Sequence, residues 1–198
     1  MIFFTQLTGA FLTALLVENL LFARAFDIPG LYDDRTPSGI LKVGGILIFI
    51  TLLSSVPAYF LNTLLKNHSA FVPFMTLSFL ILNGIAFLLT YYGIKRFMPR
   101  LFCEVGDSLP FYGVNCVTLG SLLIAARLSD AMKFPSFIGY CLGCAVGFTV
   151  ALLVLWSIRQ KLSMADVPKA FRGLPITFIY LGIVSLALFG LLGNQLPA

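Results

Sequence analysis

Apolar residues occupy this chain in six long blocks, at about 2–23, 41–62, 70–92, 109–127, 134–158 and 174–193. A helix crossing a bilayer core needs about 20 consecutive, mostly apolar residues. The pattern therefore predicts six transmembrane helices. Between the blocks lie "DIPGLYDDRTPSG", "KNH", "KRFMPR", "RLSDAMKFP" and "RQKLSMADVPKAFRG", whose prolines, glycines and charges end helices. No polar stretch is long enough for a separate soluble domain, so residues 1–198 read as a single transmembrane domain.

Composition agrees with this pattern. Hydrophobic residues make up 59% of the chain and charged ones 11%, against roughly a quarter charged in soluble domains. The first block has no basic leader and no small-residue cleavage site, and it is too long for a signal-peptide core, so it reads as span one. A net charge of +5 would suit nucleic acid only if the basic residues formed a stripe, and they are scattered over short loops. They instead set topology. Arg24, Arg35, Lys42, Lys95, Arg96, Arg100, Arg159, Lys161, Lys169 and Arg172 fall in the first, third and fifth connections, and only Lys66, Arg127 and Lys133 in the even ones. By the positive-inside rule the odd connections are cytoplasmic and both termini lie outside.

Six spans divide into three plus three, and an odd-numbered repeat inserts its second copy upside down. The expected fold is thus an all-α integral membrane protein of two inverted three-helix repeats, about 1–95 and 96–198. Some internal likeness accompanies it: "LSFLILNGIAFLL" resembles "ITFIYLGIVSLAL" at an offset that aligns Phe79 with Phe178 and Leu82 with Leu181.

Polar groups inside the blocks locate the candidate chemistry. Glu18 and Asn19 interrupt span one, where a carboxylate at bilayer depth costs roughly 2.5–3.5 kcal/mol on insertion scales and needs a partner. Either they line an ion or proton path, or Glu18 pairs with Arg24 or Lys42 near the cytoplasmic end. In span four, Asn115 and Cys116 follow Pro110 and Gly113, both poor helix formers, so spans one and four are expected to be broken or half-length. Broken spans often carry a membrane binding site, which makes Asn115 a further ion-path candidate. Cys116 is either a small packing residue or a ligand. In span five, Cys141 and Cys144 form a C-x-x-C, readable as a dithiol, half a metal site or simply small residues. Gly139, Gly143 and Gly147 recur every fourth position around them, the spacing of a close helix-packing face. A single histidine, His68, leaves little for a hydrolytic triad or a histidine metal site, and no nucleotide-binding glycine motif is present.

Three segments resemble one family, the integral-membrane A subunit of the Rnf electron-transport complex and the E subunit of the sodium-pumping NADH:quinone reductase. They are "VENLLFARAF" (17–26), "LPFYGVNCVTLG" (109–120) and "ADVPKAFRGLPITFIYLGIVSLAL" (165–188). The resemblance implies a six-span subunit of the bacterial or archaeal cytoplasmic membrane, with an outside N-terminus. It implies partners as well: a paralogous membrane subunit of inverted topology, and flavin-carrying and iron–sulfur subunits. The complex would couple electron transfer to sodium or proton translocation. It also implies a 2Fe–2S cluster shared with the paralogue, two cysteines from each chain, with Cys116 as one ligand. Soft thiolates suit such a cluster. The family's other cysteine, just after span one, has no counterpart here: "FDIPGLY" puts Ile28 or Pro29 at that place, and no cysteine precedes Cys103. A small inverted-repeat transporter or a structural subunit without a redox centre would share the same architecture. The charge bias makes one direct prediction: single cysteines placed at Ser38 and Ser69 should react with an impermeant maleimide from opposite sides, Ser69 from outside.

Overall fold

The computed structural model describes residues 2–17, 19, 22, 37–66, 74–106, 109–110, 115–128, 133–164, 168 and 171–192. Among them the chain is helical and contains no strand. Seven α-helices follow in order: α1 (Ile2–Leu12), α2 (Pro37–Lys66), α3 (Met75–Phe97), α4 (Pro99–Val105), α5 (Cys116–Leu128), α6 (Phe134–Ser163) and α7 (Leu174–Leu192). A π-helical turn, Thr13–Val17, continues α1. Helices α2, α3 and α6 are long and apolar enough to cross a membrane, and α1 with its π-turn, α5 and α7 are shorter apolar helices. Each expected span therefore meets an apolar helix, and the fold is that of an all-α multi-pass membrane protein. In span four Leu109 and Pro110 are helical, Asn115 is not, and α5 begins at Cys116.

Helix α4 lies outside the six-block pattern. A proline drives the preceding residue out of the α region, and Met98 before Pro99 takes φ −131° and ψ 63°. Its N–H still bonds Ile94 O at 2.8 Å, so "KRFMPR" bends the chain at one residue instead of opening a loop. Glu104 on α4 then pairs with Lys42 near the start of α2. That contact brings the first and third connections to one side of the molecule, where the charge count had put both.

Helix α6 is the axis of the packing, in contact with α1, α2, α5 and α7. Glycine makes the α1 contact possible. A Cβ on Gly139 would overlap Leu7 O and one on Gly143 would overlap Phe11 O, while on Gly147 it would lie 3.2 Å from Leu15 O. Residue numbers rise together along this seam, so α1 and α6 run parallel, as two odd-numbered spans must. Between lipid-embedded helices there is little hydrophobic drive, and close backbone approach supplies the dispersion contacts instead. On the α2 side the order reverses: Gly44 abuts Thr149, and Tyr59 meets Phe134 and Phe137 edge-on at 5.1 and 5.6 Å. Pro57 sits inside α2, where its missing N–H cannot serve the carbonyl four residues back. Large apolar side chains such as Phe60, Leu89 and Leu186 point outward, the arrangement expected when the surrounding solvent is lipid.

The glycine seam yields a paired test. Gly143→Ala should destabilise the protein by about 1–3 kcal/mol through overpacking. Gly45→Ala, in a helix with open space around it, should be neutral or gain up to about 1 kcal/mol from helix propensity. Denaturation in mixed micelles would measure both.

Candidate functional site

Two spans stop being α-helical inside the apolar zone, and an asparagine stands at each stop. In span one the π-turn Thr13–Val17 widens the helix, a feature frequent at functional sites. Beyond it Asn19 is non-helical and buried. Its side-chain Nδ2 donates to Gly147 O at 2.9 Å, near the middle of the 30-residue α6. Farther along, Ser185 Oγ on α7 donates to Phe22 O at 2.6 Å. Span one is thus tied to α6 by the Asn19 side chain and to α7 by Ser185. Glu18 lies outside the described residues.

In span four the arrangement is tighter. Asn115 directly precedes α5 and its Oδ1 accepts the Val117 N–H at 2.8 Å, the bond that a helix-capping asparagine makes to the free amides of the first turn. Thr118 Oγ1 donates to Asn115 O at 2.9 Å and accepts from Asn83 Nδ2 of α3 at 2.9 Å. Ser121 Oγ donates to Thr118 O at 2.9 Å, and the Cys141 side chain of α6 lies beside the Ser121 side chain. All five side chains in this sequence of contacts are buried. A polar thread therefore crosses from α3 through the first turns of α5 to α6.

Cys116 differs from its neighbours. It is the first residue of α5 and is exposed. Cys103 is also exposed, on α4, whereas Cys141 and Cys144 are fully buried within α6. No group of three or more His, Cys, Asp or Glu side chains that could hold a metal occurs among the described residues. The structure therefore sets Asn115 beside Cys116 at one helix start and Asn19 at a separate break. Gly139, Gly143 and Gly147 form the seam against α1.

A family model described as "Rnf-Nqr subunit, membrane protein" matches residues 8–194. The chain belongs to that family. Among its relatives, the A subunit of the ion-translocating oxidoreductase complex of Alcanivorax borkumensis is 37% identical over 150 residues, covering 73% of this chain and 74% of that one. The protein of the same name from Serratia proteamaculans is 29% identical over 96% of this chain and 97% of its own length. The E subunit of the Na(+)-translocating NADH-quinone reductase of Rhodopirellula baltica is 41% identical over 103 residues, 52% of this chain and 47% of its own. As a member of the Rnf-Nqr family the chain has its two irregular spans at the segments that carried the resemblance, 17–26 and 109–120.

Asn83 and Thr118 were missed in the sequence. The signal for Asn83 was present, a lone amide inside "LSFLILNGIAFLL", and the rule applied to Glu18 covers it equally. Thr118 had none, since a threonine in a membrane helix usually returns its hydroxyl to its own backbone. Thr118→Val should lower stability by about 1–3 kcal/mol, the cost of leaving a buried amide unpaired. Thr118→Ser should retain most of it, and the comparison is readable by denaturation in micelles.

Proposed function

We propose that this chain is the A/E-type membrane subunit of an Rnf/Nqr-like complex that couples electron transfer to the translocation of sodium ions or protons. The observation carrying this reading is the family match across nearly the whole chain, which includes the Asn115-Cys116 turn. Relatives matched over most of their length are named as parts of an ion-translocating oxidoreductase complex. On this reading the protein lies in a cytoplasmic membrane with both termini outside. It is built as two inverted repeats, each with one broken span, and it pairs with a paralogous subunit of opposite topology and with flavin-carrying and iron–sulfur partners.

The family's cluster tests the residues directly. A chain giving two thiolates to a shared 2Fe–2S centre needs a second cysteine near the first, and Ile28 or Pro29 stands here where the resemblance would place it. Cys141 and Cys144 are buried in α6, Cys103 is exposed on α4, and no group of three or more possible metal ligands occurs among the described residues. Cys116 fits a narrower role. Its exposed thiol at a helix start is a single soft donor facing outward, available to a centre whose other ligands come from outside the described residues. Such a centre would supply one-electron transfer. This chain's part is to hold Cys116 in place through the Asn115 cap, and to exclude water with the apolar surface around α5. Asn19 and Asn115, with Glu18, stay as the candidate polar groups beside an ion route.

The test is iron content with low-temperature EPR on the reduced complex, co-expressed with its partners, comparing wild type with Cys116→Ser. A reducible iron–sulfur signal abolished by the substitution is the expected result. An intact complex free of iron would overturn Cys116 as a ligand while leaving the chain's place in the complex standing. Purification of the chain without any paralogue or flavoprotein would overturn that place itself.

A further inference from the structure

The polar thread at the start of α5 ends in two orphans. Asn83 Oδ1 and Asn115 Nδ2 are buried and have no hydrogen-bond partner among the described residues, and their residues are 0% and 3% exposed. Asn83 lies eight residues into α3, about 12 Å from its start at 1.5 Å per residue, so the pair is well inside a hydrocarbon core about 30 Å thick. An unpaired polar group there is costly, and two on residues that both bond Thr118 call for a ligand.

The chemistry of that ligand follows from which atoms are already committed. Asn115 already accepts the Val117 N–H on its oxygen, so its unsatisfied end is the NH2 group, a donor. Thr118 spends its only proton on Asn115 O, so it must meet Asn83 as an acceptor. Asn83 therefore turns its NH2 toward Thr118 and has its carbonyl oxygen left. One free donor and one free acceptor flank a hydroxyl with a lone pair to spare. A cation would find the Asn115 NH2 group and the positive end of α5 against it. An anion would find the Asn83 carbonyl against it. A small neutral molecule that both donates and accepts satisfies the set, and buried water is held by two to four such contacts.

We propose that Asn83, Thr118 and Asn115 form a water-binding site, in which one water accepts from Asn115 Nδ2 and donates to Asn83 Oδ1. The water joins α3 to the first turn of α5, the turn that presents Cys116. It adds Asn83 to the residues that position this turn, and it makes the Asn115 side chain a water ligand as well as a helix cap. This site stands on the orphaned atoms alone, independent of any metal at Cys116.

A double-mutant cycle on the full chain in bicelles tests it. Asn115→Ser keeps a capping oxygen and removes the amide NH2 that would reach the water. It should lower the ratio of folded to unfolded protein about fivefold, the effect of one net hydrogen bond. In an Asn83→Leu background the same substitution should have little effect, because the water has already lost its acceptor. An Asn115→Ser protein as stable as wild type or more so would mean a dry, unpaired donor and would overturn the site. An equal loss in both backgrounds would also overturn it. Should the variants fail to fold, density in the assembled complex decides. The expected peak lies within hydrogen-bonding distance of both amide atoms. A direct bond between the two amides, or density replaced by thallium when sodium is exchanged for it, would exclude the water.

Discussion

A helix that ends inside a bilayer leaves backbone N–H and C=O groups with no water to take them, and every unusual feature of this protein answers that constraint. The start of α5 would expose free amides to hydrocarbon. Asn115 caps Val117 N–H, Thr118 returns its hydroxyl to Asn115 O, and Asn83 reaches across from α3 to hold Thr118. At the other break, non-helical Asn19 fastens the chain to α6, and Ser185 of α7 bonds Phe22 O three residues on. These side chains are the condition under which non-helical backbone can exist at this depth.

The same constraint explains the glycines of α6. Irregular backbone must be enclosed by protein, and enclosure requires neighbouring helices to come close. Gly139, Gly143 and Gly147 let α1 lie directly on α6, backbone against backbone, so that Asn19 arrives within reach of Gly147 O. A side chain at those positions would push span one away and leave the break open to lipid. Packing and polar satisfaction are therefore one arrangement, and a change in the seam acts on the site.

Much of the fold was legible in the sequence because membrane insertion reads composition. Block length located all six apolar helices, and Pro110 and Gly113 marked span four as interrupted. The boundaries were less legible. Met98 and Pro99 turned an expected break into a one-residue bend followed by α4, since a proline stops a helix without saying whether another begins. Of the candidate site, Asn115 and Cys116 stood out as polar positions in an apolar run. Asn83 stood out equally but had no visible partner, because Thr118 lies 35 residues away and on another helix.

Residue order alone established that this is a multi-pass membrane protein of the Rnf-Nqr family type, since apolar block length, charge bias and local motifs are properties of neighbouring residues. Which polar groups meet was settled by tertiary packing. It set Asn19 against Gly147, joined Asn83 to the first turn of α5, enclosed Cys141 and Cys144, and left Cys116 facing outward. Those outcomes depend on how closely separate helices approach and in what register, and helix-to-helix distance is written in no single segment of the chain.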